Sequence, residues 1–289
     1  MLKENRPFSL VFFLLFIIAT PLFAQSSPLN DDLNYYPKEF LKLLDQKEST
    51  DIKDLIYKIL QNAHLKKVGS NDLLINNCGA AKEEEKSNCY QQQVNDYTSA
   101  RKYLFGKLYL IKTSTSMEIE DVYCHNKISI GVAPMNIPSD KFINCEHTWP
   151  QSKFNPKFST EMQKGDLHHL FPSDPVANGT RGNHFFGEIP GRALKNCETS
   201  SIGSSTLDGE TYFEPPKEHK GNVARALFYF SVRYQLPISD KEEAFLRSWN
   251  KEDPVDQAEQ DRNDEIYKIQ GNRNPFIDFP ELSEEISDF

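Results

Sequence analysis

Between Tyr36 and Leu65 the apolar residues Phe40, Leu43, Leu44, Ile52, Leu55, Ile56 and Ile59 recur three and four positions apart, the spacing of one helix face. Glu48-Ser49-Thr50 interrupts the run and supplies a cap, so the pattern predicts two amphipathic helices. Asn88 to Gly106 carries Tyr97, Ala100, Tyr103 and Leu104 at helical intervals, and Lys107 to Lys112 reads more like strand. From Val122 to about Pro215 the texture changes. Short apolar groups, Val122-Tyr123 and Ile128 to Val132, alternate with Gly, Pro and Asn, which predicts short strands and long ordered loops. Helical spacing returns after Gly221, with a second helix from Ser239 to Asn250. A third follows Asp253-Pro254, where an aspartate cap precedes a proline at the first helical position, and runs toward Ile269. With no repeat or low-complexity linker, residues 25–289 read as a single mixed α+β domain, mostly helical, with short antiparallel strands in the middle.

Residues 1–24 fall outside that pattern. Lys3 and Arg6 precede an almost unbroken apolar run from Phe8 to Ile18, and Ala24 offers a small residue for cleavage, the layout of a secretory signal. The run is short of the roughly twenty apolar residues a membrane-spanning helix needs, so the expected product is secreted or periplasmic, without stable membrane association after cleavage. In that compartment the five cysteines favour disulfides, and the odd count leaves one thiol over. Cys78 and Cys89, flanking a charged loop, are the first choice for a pair. No close Cys-x-x-Cys pair argues for structural zinc.

Formal charge is −9, and about −10 without Lys3, Glu4 and Arg6, the opposite of what a general polyanion binder carries. Between His147 and Lys195, however, six basic residues face four acidic ones, so this stretch is locally basic in an acidic chain. The same stretch holds the chemistry. Cys145-Glu146-His147-Thr148-Trp149-Pro150-Gln151-Ser152 is followed by Asp166-Leu167-His168-His169-Leu170-Phe171-Pro172 and then by Asn178-Gly179-Thr180-Arg181-Gly182-Asn183. Singly, each of these residues has an ordinary explanation: histidines are more often structural than catalytic, and Asn and Arg beside glycines usually form turns and solvated charge. Together, carboxylates, imidazoles, amides and an arginine are the inventory for holding a divalent cation and activating water beside a phosphate. Asp166 and His168 are expected on one face of a strand and Asn178 on a short helix beginning near Ser173, so that two strands and a helix bring their ends together.

These words, with Phe186-Gly187, Gly221-Asn222-Val223-Ala224-Arg225-Ala226 and Lys268-Ile269-Gln270-Gly271-Asn272-Arg273-Asn274-Pro275-Phe276, make the chain resemble the secreted and periplasmic endonuclease I group. The resemblance covers roughly Tyr97 to Leu282. It implies a ββα-metal (His-Me) finger at about 121–187, with His147 as general base and Glu146 and Asn178 as protein ligands of one magnesium ion, calcium or manganese being substitutes. Carboxylate and amide oxygens are hard ligands suited to magnesium, and an imidazole can accept a proton from water near neutral pH. The implied activity is sequence-nonspecific endonucleolytic hydrolysis of DNA, with RNA as a second substrate, to 5'-phosphate and 3'-hydroxyl ends; a monomer is expected, though the sequence leaves the oligomeric state open.

Asp166 and His168 are expected to orient the metal and base residues through hydrogen bonds. His169 is assigned to core or surface. Family members can steady the scissile phosphate with an arginine between the first two words, where this chain has only Lys153, Lys157 and Lys164. Arg181 is the substitute candidate, against the alternative of an ion pair. Lys153, Lys164, Asn183 and Arg273 are candidate nucleic-acid contacts, and Trp149 is read as a packing anchor ahead of a base-stacking role. Two further readings stand beside the nuclease: a zinc hydrolase with His147, His168 and His169 as ligands, which lacks the His-Glu-x-x-His spacing, and a secreted nucleic-acid-binding protein that keeps the finger without catalysis.

Overall fold

The apolar spacing near the N-terminus builds α1 (Lys38–Gln46) and α2 (Ile52–Gln61) in the computed structural model, which describes residues 31–46 and 52–289. The signal stretch and the interruption at Glu48-Ser49-Thr50 lie outside the described residues. The helical pattern read as far as Leu65 ends at Gln61. There the chain turns into an antiparallel hairpin, β1 (Ala63–Lys67) and β2 (Ser70–Ile75), with β3 (Cys89–Tyr90) on the other edge of β1. A disulfide joins Cys78 to Cys89 across this charged loop, as expected.

Asp96 caps α3 (Tyr97–Tyr103), which widens into a π turn at Leu104–Leu108. The strand expected from Lys107 shrinks to β4 (Ile111–Lys112), the edge of a small meander with β5 (Met117–Glu120) and β6 (Lys127–Ile128). Next come β7 (Asn144–His147), α4 (Thr160–Lys164), β8 (Leu170–Ser173) and α5 (Pro175–Arg181). A four-stranded sheet follows, from β9 (Phe185–Phe186), β10 (Arg192–Leu194), β11 (Cys197–Ser204) and β12 (Thr211–Glu214) in the order β10-β11-β12-β9. Its β12–β9 pair is parallel, a departure from the expected antiparallel pairing.

The C-terminal part is helical: α6 (Lys220–Tyr234), α7 (Asp240–Glu252), α8 (Gln257–Gln270), α9 (Pro275–Asp278) and α10 (Leu282–Glu285). Ser239 caps α7. The cap of α8 is Asp256 and not Asp253, because Asp253 closes α7 and its carboxylate accepts the Gly221 amide at 2.8 Å. Gly221 itself is forced by packing: a Cβ there would lie 2.0 Å from the Asp253 carbonyl oxygen.

Every residue of α6 except Asn222 is buried, as befits a helix packed on all sides. It runs through the larger apolar cluster, which includes Trp149, Ala177 and Phe230. A second cluster gathers Ala100, Leu104 and Ile266 against Cys145 and Leu170. The pair β7–β8 and α5 therefore sit between two cores, one on each side. Among the described residues no helix is long and apolar enough to cross a membrane.

Candidate active site

Antiparallel pairing sets Glu146 opposite Phe171 and His147 opposite Leu170, so the two chemically important residues end β7. Adjacent strand residues point to opposite faces, and their surroundings differ accordingly. Glu146 meets Tyr123, whose hydroxyl donates to Oε1 at 3.0 Å, and Arg181, whose Nη1 lies 3.3 Å from the same oxygen. His147 packs among the rings of Tyr97, Phe154 and His169.

Helix α5 is built by Asp174, whose carboxylate accepts the Val176 and Ala177 amides at 2.8 and 2.9 Å, with Pro175 at the first helical position. The expected ββα order is present. Asn178 is half-buried one turn before Arg181, on the same helix face, and its amide has no hydrogen-bond partner among the described residues. Both polar contacts of Glu146 fall on Oε1, leaving Oε2 without one. One carboxylate oxygen and one amide are thus uncommitted hard donors, which fits a magnesium ion that keeps most of its waters.

Burial pushes the Glu146 carboxyl above its usual range, while Arg181 and the Tyr123 hydroxyl pull it back. Tyr123, unremarked in the sequence as anything but apolar, is itself pinned. Its carbonyl accepts the hydroxyls of Thr199 and Ser200 at 2.7 and 2.8 Å, and the adjacent Cys124 is disulfide-bonded to Cys197. Cys145 is the free, buried thiol, pushed up to about 12 by burial.

The tautomer of His147 follows from its partners. Nε2 lies 3.2 Å from the Lys164 carbonyl oxygen, which can only accept, so Nε2 carries the proton. Nδ1 then holds a lone pair, which takes the Gln151 amide at 3.2 Å. Burial, followed by neighbouring His169, lowers the His147 pKa to about 3, so the ring is neutral.

Asp166 and His168 do not lie on a strand. The Asp166 carboxylate accepts the His168 amide at 3.2 Å and folds Leu167–His169 into a 3-10 turn, so the strand starts only at Leu170. Asp166 is fully committed, accepting Tyr229 and Tyr234 hydroxyls at 2.8 and 2.7 Å and the Gln270 amide at 2.9 Å. It contacts neither Glu146 nor His147 and organises the turn between them and β8. His168 and His169 are both buried, and each has its Nε2 on a backbone carbonyl, of Asn272 and Gln163 respectively. Among the described residues no group of three or more His, Cys, Asp or Glu side chains is placed to hold a metal, so the zinc arrangement of His147, His168 and His169 is not formed.

The arginines also differ from expectation. Arg181 is only 2 % exposed, donates to the Thr148 and His147 carbonyls at 2.6 and 3.2 Å, and lies over the Phe186 ring at 4.4 Å. Its guanidinium faces inward. Arg273 is buried and paired with Asp264 and Asp278, each at 2.7 Å, so it is a packing element and no nucleic-acid contact. Trp149 is buried and stacked on Phe230 with centroids 5.4 Å apart, the anchor role anticipated for it. The lysines remain outward: Lys164 holds its ammonium 4.4 Å above the Tyr97 ring and Lys153 4.3 Å above that of Phe185, while Asn183 is exposed after α5.

The family model described as Endonuclease I matches residues 78–281. Among curated relatives, an extracellular ribonuclease of Bacillus subtilis (strain 168) is 40 % identical over 162 residues, covering 50 % of this chain and 53 % of that one. A periplasmic deoxyribonuclease of Aeromonas hydrophila is 31 % identical over 146 residues, 49 % and 60 % of the two chains. Endonuclease-1 of Buchnera aphidicola subsp. Baizongia pistaciae (strain Bp) is 31 % identical over 134 residues, 46 % and 51 %. The chain spans about half the length of the curated relatives it matches. Ordered motif words, a ββα arrangement ending in Glu146, His147 and Asn178, and a family match over most of the sequence agree: the chain belongs to the endonuclease I family.

Proposed function

We propose that this protein is an exported, magnesium-dependent endonuclease that hydrolyses phosphodiester bonds of DNA, with RNA as a second substrate. The observation that carries the reading is the division of labour at the end of β7: a neutral imidazole with its Nδ1 lone pair toward Gln151, next to a carboxylate with one oxygen free of partners among the described residues. The relatives named as ribonuclease and deoxyribonuclease support a nucleic-acid substrate. Names placing relatives outside the cell or in the periplasm, together with two disulfides, support export.

Glu146 and Asn178 would hold the cation, which supplies charge neutralisation at the phosphate and the departing 3'-oxygen. His147 Nδ1 takes the proton from a water replacing the Gln151 amide, as that water's oxygen bonds to phosphorus and the 3'-oxygen–phosphorus bond breaks. The 3'-oxygen leaves as a hydroxyl after protonation by solvent, and the phosphate stays on the 5' side. The imidazolium formed is steadied by the Nε2–H bond to the Lys164 carbonyl. An anionic phosphate beside the ring raises its low basicity toward the useful range.

Because Arg181 is engaged inside, the positive partner for the phosphate is a lysine. Lys164 is the candidate, its ammonium over the Tyr97 ring, whose centroid is 5.4 Å from that of His147. The test is plasmid and RNA digestion with EDTA, magnesium and calcium arms, for the parent and His147→Ala. Metal-dependent nicking by the parent and its loss in the variant are expected. A variant as fast as the parent removes His147 from the base role.

A further inference from the structure

A cavity of ≈ 330 Å³ opens directly beside the candidate site. Thr148 and Arg181 belong to both: Arg181 pairs with Glu146 and bonds the Thr148 carbonyl, and both residues line the cavity. Its walls are largely apolar, with Trp149, Phe185, Leu227 and Ile238 among the lining residues and His184 and Ser239 beside them. Two charged side chains complete it. Lys153 stands at the rim with its ammonium over Phe185. Glu242, half-buried near the start of α7, uses Oε1 to accept the Phe186 amide at 2.8 Å, while Oε2 has no partner among the described residues.

We infer that this cavity takes one nucleobase of the bound strand, next to the phosphate that is cleaved, and that it favours a base carrying an exocyclic amino group. The inference rests on the nuclease reading above and names a subsite for it. The volume suits a flat heterocycle, since ligand pockets begin at about 300 Å³ and are mostly apolar with a few placed polar groups. The shared Arg181 and Thr148 make the cavity and the site immediate neighbours. Lys153 at the rim offers a cation to the phosphate of the same nucleotide.

The preference follows from Glu242. Burial raises the Glu242 carboxyl, while the Phe186 amide, Arg181 and Lys153 pull it back; in its ionised form it can only accept, so Oε2 pairs with an amino N–H of cytosine, adenine or guanine. Uracil and thymine set carbonyl oxygens on both sides of their one ring N–H, and these face the carboxylate unfavourably. A base must leave the stack to enter, so single strands make this contact more readily than duplexes.

Glu242→Gln is the discriminating variant. The amide oxygen keeps the Phe186 amide while Nε2 replaces Oε2, which converts the acceptor into a donor. In single-stranded oligo(dT) carrying one dC, the parent should cut at a fixed offset from dC about tenfold faster than elsewhere, the worth of one hydrogen bond to a charged group. Glu242→Gln should level or invert that ratio. Separately, CMP and UMP are titrated into each protein by saturation-transfer NMR, which needs no turnover. CMP binding tighter than UMP in the parent, with the order lost in Glu242→Gln, supports the subsite. Equal binding of the two in the parent, or an order unchanged by the substitution, overturns it. A parent that cuts no nucleic acid yet orders CMP above UMP refutes the nuclease reading and keeps the subsite.

Discussion

Arg181 separates two ways of building this site, and Arg181→Lys decides between them. In the structure the guanidinium reaches the Thr148 carbonyl at 2.6 Å, the His147 carbonyl at 3.2 Å and Glu146 Oε1 at 3.3 Å, all from a side chain that is 2 % exposed. The fork spans the last residues of β7 and the Glu146 carboxylate at once. A lysine ammonium keeps the charge but is a single point, so it satisfies one or two of these acceptors and leaves another buried and unpaired. Each lost bond to a charged group removes about 1.5–3 kcal/mol, giving a destabilisation of about 2–4 kcal/mol. At roughly 2–4 °C per kcal/mol for a chain of this size class, the Tm falls on the order of 10 °C. Urea and thermal unfolding measure the stability. DNA binding is read in a His147→Ala background, so that turnover does not intrude. If Arg181 is a positioning residue, Arg181→Lys loses stability and needs more magnesium for the same rate, while DNA affinity changes little. A variant within about 0.5 kcal/mol of the parent that binds DNA tenfold more weakly would instead show the guanidinium on the phosphate, and the inward assignment would be wrong.

Two other outcomes follow from neighbouring groups. Tyr123→Phe removes the one hydroxyl bonded to Glu146 and should cost about 1–2 kcal/mol while raising the magnesium concentration for half-maximal nicking several-fold; an unchanged metal titration would detach Tyr123 from the site. Acid should unfold the protein early. His168 and His169 are lowered to about 4 and His219 to about 3, in each case chiefly by burial, so the unfolded chain takes up these protons first. Their contribution is whole above the ordinary histidine value of 6.5 and is lost as pH falls through 6.5 toward about 4, on the order of 2 kcal/mol for each ring at pH 5. Equal urea stability at pH 7 and pH 5 would contradict this.

What the sequence disclosed was what local chemistry and order could carry. The order of the motif words anticipated two strands and a helix, and the short helix expected near Ser173 begins at Pro175 behind its Asp174 cap. Cys78 and Cys89, eleven residues apart, could be paired by eye, whereas Cys124 and Cys197 are separated by 73 and nothing local joins them. Asp-Leu-His-His-Leu alternates like a strand, yet the Asp166 side chain competes for the backbone and makes a turn. Arg181 misled for a different reason: its carboxylate, Glu146, lies 35 positions away, and nothing local announces the pair. Tyr123 gave no signal, because a buried phenol and a buried ring look alike in an apolar pattern.

The distant words of the C-terminal part have a mechanical reason to accompany the finger. Gln270 accepts the Leu167 amide at 3.0 Å and donates to Asp166 at 2.9 Å, and the Asn272 carbonyl lies 3.1 Å from His168 Nε2. Arg262 donates to the carbonyls of Leu167 and Leu170 at 2.6 and 2.9 Å. These bonds fix the turn that delivers Leu170 opposite His147, so the register of the β7–β8 pair is set by residues about a hundred positions downstream. Gly271, at φ +78°, ends α8 so that Gln270 reaches Asp166 and Asn272 reaches His168. The finger is therefore not a self-sufficient insert. Its two strands and helix bring the right side chains into reach, but helix α8 and the turn after it hold them there.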